Sequence, residues 1–124
     1  MRRLLLATAL LLAFPAGASA SFIQFRSPTA KIGCAFESGG GLKPIVRCEW
    51  AGSNDTAVWV GQRGKAHHLR ISDTVRDPHA PVLRYGHSKR FHHIKCTSRR
   101  TGMTCRSTLS GHGFTVSVQR QRLF

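Results

Sequence analysis

Apolar and polar positions alternate with period two along most of this chain, in runs too short for helices. Ile32, Cys34 and Phe36 alternate with Lys31, Gly33 and Glu37, while Val46, Cys48 and Trp50 alternate with Arg47 and Glu49. Gly39-Gly40-Gly41 and then Pro44 separate the two runs. This pattern predicts a β-hairpin with both sulfurs on its apolar face. A shorter copy follows, in which Ile94 and Cys96 face the same way as Met103 and Cys105 and Gly102 sits in the turn. One alternation rule explains the likeness of the two hairpins more simply than an internal duplication. Further β-like runs cover 22–26, 56–60, 66–71, 82–85 and 114–118. Turn chemistry separates them at Ser53-Asn54-Asp55, Gly61 to Gly64, Asp77 to Pro81 and Gly111-His112-Gly113. No stretch sustains a 3.6-residue apolar period. The expected fold is all-β: a small antiparallel barrel or sandwich of short strands with two disulfide-stapled hairpins.

The one long apolar run, Leu4 to Phe14, breaks this rhythm. Arg2-Arg3 precedes it, Pro15 and Gly17 end it, and Ala18-Ser19-Ala20 has the small-residue form of a cleavage site. This is the layout of a secretory signal peptide, and the run is too short to span a bilayer. The expected division is a signal peptide over 1–20 and a single β domain over 21–124, exported to the medium, periplasm or cell envelope. No other apolar stretch reaches transmembrane length. Such a small domain has a thin core, and its 4 Cys form an even set in an exported chain. Three connectivities are possible in principle. The alternation selects Cys34–Cys48 and Cys96–Cys105.

Charge changes the picture more than length does. The chain has 19 Lys+Arg against 5 Asp+Glu, a formal net charge of +14. The excess is concentrated in the second half, where Arg84, Lys89, Arg90, Lys95, Arg99, Arg100 and Arg106 lie close together, with Arg120 and Arg122 beyond them. The first seven are the candidate residues for an anionic partner: an acidic polymer of the envelope, nucleic acid, lipid headgroups or an acidic protein. Arg99-Arg100 falls near the tip of the second hairpin, where side chains must be exposed. Tyr85, Phe91, Phe114 and Phe124 are too few, and too interleaved with polar neighbours, to make a base-stacking platform. There is no amphipathic helix for membrane insertion.

Several motifs carry a resemblance. Ser110-Gly111-His112-Gly113-Phe114 and the final Arg122-Leu123-Phe124 resemble the ending of a family of small, exported, disulfide-bonded bacterial proteins of unknown function. The second hairpin with Thr97-Ser98 and Gly102 is similar to that family. So are Asp73-Thr74, Asp77-Pro78, Ala80-Pro81-Val82-Leu83 and Tyr85-Gly86, and near the start Phe25, Ser27-Pro28 and Ile32-Gly33-Cys34. The chain departs from it at Thr29-Ala30-Lys31 and at Gln121. It also lacks an additional Cys pair that relatives carry near Trp59 and before Asp73. The resemblance implies export and a disulfide-bonded fold, and it brings no activity.

Catalytic chemistry finds little support in the spacing. His112 between two glycines is either a side chain held on a tight turn to bind or move a proton, or an ordinary turn residue. His67-His68 and His92-His93 invite a metal, but adjacent strand residues point to opposite faces, so neither doublet chelates. The carboxylates Glu37, Glu49, Asp55, Asp73 and Asp77 are scattered. Glu37 and Glu49 are expected to pair with Lys31 and Arg47 across strands, and Asp73 and Asp77 to be turn residues. No metal site, cofactor or catalytic residue is assigned. The leading expectation is a non-catalytic binding or envelope-associated module with a basic face. Two alternatives stand beside it. One is a ribonuclease-like phosphodiester hydrolase using His112 with His92 or His93 and Lys95 or Arg106. The other is a secreted inhibitor presenting Arg99-Arg100.

Overall fold

The computed structural model describes residues 9–12 and 19–124, so the signal-peptide reading falls mostly outside the described residues. From Ser21 the chain forms ten strands. The first five are β1 (Ser21–Arg26), β2 (Ile32–Gly39), β3 (Leu42–Trp50), β4 (Thr56–Gly61) and β5 (His67–Arg70). The second five are β6 (Ser88–Phe91), β7 (Ile94–Arg99), β8 (Gly102–Ser107), β9 (Gly113–Val116) and β10 (Gln121–Leu123). Each strand pairs antiparallel with its chain neighbour, giving two five-stranded meanders, β1 to β5 (sheet A) and β6 to β10 (sheet B). The sheets do not close into a barrel; they pack as a sandwich, β3 and β4 against β7, β8 and β9. None of the described residues forms a helix long and apolar enough to cross a membrane.

Both disulfides form as the alternation required, Cys34–Cys48 within sheet A and Cys96–Cys105 within sheet B. Each joins residues directly opposite in register, with Cα atoms 4.1 and 4.0 Å apart. That separation belongs to a non-hydrogen-bonded antiparallel pair, where side chains approach most closely. The inward residues Ile32, Phe36, Val46, Val58, Val60, Ile94, Met103, Phe114 and Val116 complete the core with them. The two disulfides meet at its centre, Cys48 Sγ lying 3.9 Å from Cys105 Sγ. Neither sulfur carries a proton, so this is a packing contact between sheets. Phe36 stacks on Phe91 from the opposite sheet at 5.2 Å and packs against Phe25 at 4.9 Å.

The outer faces of the two sheets differ. Residues 71–83 form a strap that crosses the outer face of sheet A from its β5 edge to its β1 edge. Over β3 the Glu49 carboxylate, almost fully buried, accepts from Thr74 Oγ1 and from the Val75 N–H. Over β2 the strap passes so close that a Cβ at Gly33 would come within 2.7 Å of the Arg76 Cα. At β1 the Arg26 N–H donates to the Pro81 carbonyl at 3.0 Å and the Leu83 N–H to the Arg26 carbonyl at 2.8 Å. Among the described residues no segment covers sheet B in this way.

Three expectations need correction. The run 82–85 does not form a strand: it makes one bridge, Arg26 to Val82, because Pro78 and Pro81 remove N–H donors and Gly86 turns at φ +81°. Strands β6 and β10 were not anticipated. They are the edges of sheet B, and an edge strand with a wet face reads as a polar run. Asp73 is the strap's partner for Arg47 rather than a turn residue, and Glu49 holds the strap instead of pairing with Lys31. Asp77 does serve its turn, its Oδ1 accepting from the His79 N–H at 2.8 Å.

Candidate anion-binding face

Alternation about the cysteines decides what sheet B presents to solvent. Cys96 and Cys105 point inward, so Lys95, Thr97 and Arg99 on β7 and Thr104 and Arg106 on β8 point outward. Arg90 and Ser88 on β6, Thr115 on β9 and Arg122 on β10 join them through register. The pairings line these side chains up in rows that run across the strands. One row is Ser88, Thr97, Thr104, Thr115 and Arg122, each the register partner of the next. The next row is Arg90, Lys95 and Arg106, again in direct register. Neighbours within a row sit about 4.8 Å apart, and rows two residues apart are separated by about 7 Å. Arg99 lies beyond the hydroxyl row at the hairpin end.

The hydroxyls pair among themselves. Ser88 Oγ is 2.8 Å from Thr97 Oγ1, and Thr104 Oγ1 is 2.8 Å from Thr115 Oγ1. Each pair consumes one of its two O–H donors, leaving one donor and several lone pairs for a ligand. A shallow groove of about 220 Å³ runs between Lys95, Thr97, Arg99, Thr104, Arg106, Thr108 and Phe124. A second, of about 230 Å³, lies beside Thr115, Arg120 and Arg122. The two aromatic rings at the rim are covered on one side by guanidinium groups. Arg100 sits 5.0 Å over Tyr85 and Arg122 sits 5.4 Å over Phe124.

The charges around this face are uncompensated. No acidic residue occurs after Asp77 in the sequence, so sheet B contributes none. Among the described residues the ion pairs are Arg47–Glu37, Arg47–Asp73 and Arg70–Asp55, all in sheet A and its strap. Asp73 binds the Arg47 guanidinium through two oxygens, at 3.2 and 3.0 Å, while Arg47 Nε faces Glu37 Oε2 at 3.1 Å. Burial works against the Arg47 charge, but the Asp73 hydrogen bond and the charges of Glu37, Asp73 and Glu49 outweigh it and raise its pKa. The same guanidinium, through its hydrogen bond and then its charge, holds the Asp73 carboxyl below the usual carboxylate range.

Of the seven cations proposed from sequence, the structure gathers Arg90, Lys95, Arg99 and Arg106 on this face. Arg100 is at the adjoining turn, stacked on Tyr85. Arg84 lies in the preceding loop, its carbonyl accepting from the His87 N–H. Lys89 is the register partner of inward-facing Cys96 and is directed away from Arg90. Sequence reasoning missed the hydroxyl row and the place of Arg122 at its end. The signal was present: Thr97, Thr104 and Thr115 sit at outward positions of the same alternation that paired the cysteines.

The histidines are spread along the fold. His67 packs on Trp59 at 5.4 Å, and His92, at φ +52°, turns the chain between β6 and β7 with its ring perpendicular to that of Phe91. His93 and His112 lie at one end of sheet B: the His93 carbonyl accepts from the Thr108 N–H at 2.7 Å and the His112 carbonyl from the Ser107 N–H at 2.9 Å. His93 is two residues before Lys95, whereas His112 precedes Gly113, the register partner of Arg106, and shares the alternation of inward-facing Phe114. Gly113 is required here by close packing, since a Cβ would strike the Cys105 carbonyl oxygen. The sulfurs of Cys34, Cys48 and Cys105 lie within 4.8 Å of one another, but all are disulfide-bonded and hold no thiolate for a metal.

A sequence model described as "Family of unknown function (DUF6636)" matches residues 46–124, from β3 of sheet A through all of sheet B. No curated protein and no solved structure matches the chain.

Proposed function

The chain belongs to that family of unknown function (DUF6636), which supplies no activity to argue from, and on its own geometry we propose that it is an exported, non-catalytic binding module whose bare sheet B face meets an anionic partner. One observation carries the reading: five cations, Arg90, Lys95, Arg99, Arg106 and Arg122, share one uncovered face on which no acidic side chain answers them. Lys95 stands directly opposite Arg90 and Arg106, an arrangement that costs stability and is offset by a bound anion. Two disulfides fit an oxidising compartment outside the cytoplasm. Export through a signal peptide cut after Ala20 is consistent with β1 beginning at Ser21 and with Leu10, Leu11 and Leu12 lying exposed.

The test is retention of a labelled single-stranded polyanion by oxidised protein across a salt series. Five neutralised charges predict a slope of about −3.5 in log K against log salt, falling by about 1.4 in the Lys95→Gln/Arg106→Gln variant. A flat salt dependence, or an unchanged slope in that variant, would overturn the reading. Phosphodiester hydrolysis has one observation in its favour: His93 and His112 both lie in the turns at one end of sheet B. Cleavage of single-stranded RNA in the same assay, lost in His112→Ala, would establish it instead.

A further inference from the structure

The ligand-bearing face has a direction, and the direction narrows the ligand. We propose that the occupant is an acidic polysaccharide of the polyuronate type, its chain running across the strands along the hydroxyl row with its carboxylates against Arg90, Lys95 and Arg106. This rests on the anion-binding reading and specifies its ligand.

The repeat is the first argument. A polymer lying along the rows meets one hydroxyl and one cation per strand across β6, β7 and β8, at intervals of about 4.8 Å, then Thr115 on β9 and Arg122 on β10, and one pyranose unit spans about one such step. The second argument is the chemistry of each step. A uronate unit offers one carboxylate and free hydroxyls in the same repeat, matching a cation row beside a hydroxyl row. Polyphosphate offers acceptors alone, so it would use the cations and the leftover O–H donors but none of the lone pairs of the Thr hydroxyls. Single-stranded nucleic acid needs exposed rings for its bases. The two rings at this rim each carry a guanidinium on one side, and the described outward residues of sheet B add no other. The groove is shallow, which suits a chain lying across the strands more than an enclosed monomer.

The experiment compares polygalacturonate, its carboxyl-reduced neutral counterpart, polyphosphate and single-stranded RNA on oxidised protein at matched charge concentration. Wild-type protein is expected to hold polygalacturonate about tenfold tighter than polyphosphate or RNA at physiological salt, and not to hold the neutral polymer. The Thr97→Val/Thr104→Val variant keeps every charge and the β-branched shape. It is expected to lose that tenfold margin, while polyphosphate, held by the cations and by the Ser88 and Thr115 hydroxyls that the variant leaves free, is weakened much less than polygalacturonate. Equal or tighter binding of polyphosphate or RNA by wild type overturns the polysaccharide and leaves the anion-binding face standing, and this result needs no variant to fold. An undiminished margin in the valine variant also overturns it. Retention of no polyanion even at low salt overturns both readings together.

Discussion

The meeting of the two disulfides at the centre of the sandwich has a measurable energetic signature. Their loops, of sequence separation 14 and 9, do not overlap, so the entropy each removes from the unfolded chain is independent. The loop-closure relation gives about 3 kcal/mol for Cys34–Cys48 and about 2.7 kcal/mol for Cys96–Cys105. Those contributions should add. The packing contact should not, because Cys48 Sγ and Cys105 Sγ touch at 3.9 Å and all four cysteines are fully buried. Replacing either pair by alanine breaks the contact, and replacing both breaks it only once. The two single losses must therefore exceed the quadruple loss, by a coupling in the range of about 0.5–3 kcal/mol expected for residues in contact. Guanidinium unfolding of wild type, Cys34→Ala/Cys48→Ala, Cys96→Ala/Cys105→Ala and the quadruple variant, followed through Trp50 and Trp59, measures all four corners. A sum of about 6 kcal/mol approaches the total stability of a small domain, so the series is run with sulfate present throughout to keep the quadruple variant folded. Additivity within about 0.5 kcal/mol would refute the shared contact. Losses below about 1 kcal/mol per pair would refute the loop argument itself.

The strap predicts an acid dependence. Asp73 is held below the usual carboxylate range by Arg47, so the stability it contributes is complete above that range and is lost as pH falls through its lowered folded value. The protection of amides over residues 71–83, relative to their intrinsic exchange at each pH, is expected to fall on acidification from about pH 5 toward pH 2. Asp73→Asn should remove much of that dependence, and an identical acid profile in the variant would count against the pairing. On sheet B, Lys95→Glu turns two like-charge cross-strand pairs into opposite-charge ones. Its thermal midpoint should rise by a few degrees while polyanion retention falls. A lower midpoint in that variant would sink the claim that the cation row strains the fold.

Much of the architecture was legible because the cysteines mark the inward positions. Once Cys34, Cys48, Cys96 and Cys105 are placed on one face, Ile32, Phe36, Val46, Ile94 and Met103 follow by period two, and all are buried. The strands that escaped, β6 and β10, are edges whose Lys89, Arg90, Gln121 and Arg122 carry no apolar signature. The strap escaped for another reason. Its sequence is a run of turn residues, and its one fully buried apolar residue, Val75, is held through its backbone N–H and carbonyl by partners 26 or more positions away. Nothing local announces that Glu49 will accept the Val75 N–H. The basic face was legible as a charge count but not as a surface. Register separates Arg90 from Lys89 and brings Arg122 beside Thr115, and register emerges only when the strands pair.

Where the five acids fall supports reading the basic face as a binding face rather than as mere surface charge. Glu37, Glu49 and Asp73 gather under or beside the strap, where Arg47 needs neutralising and the Val75 N–H needs an acceptor. Asp55 is spent on Arg70 and Asp77 on its own turn. Charge kept only for solubility would be served as well by scattering, and scattering would avoid setting Lys95 directly between Arg90 and Arg106. The fold instead covers the outer face of sheet A with a strap that consumes acids, and among the described residues nothing covers the outer face of sheet B or answers its charges. Local arrangements that work against stability collect where a ligand makes good the difference. Here the repulsion, the leftover hydroxyl donors and the missing cover all occur on the same rows of the same sheet, so a single anionic chain lying along them would relieve all three at once.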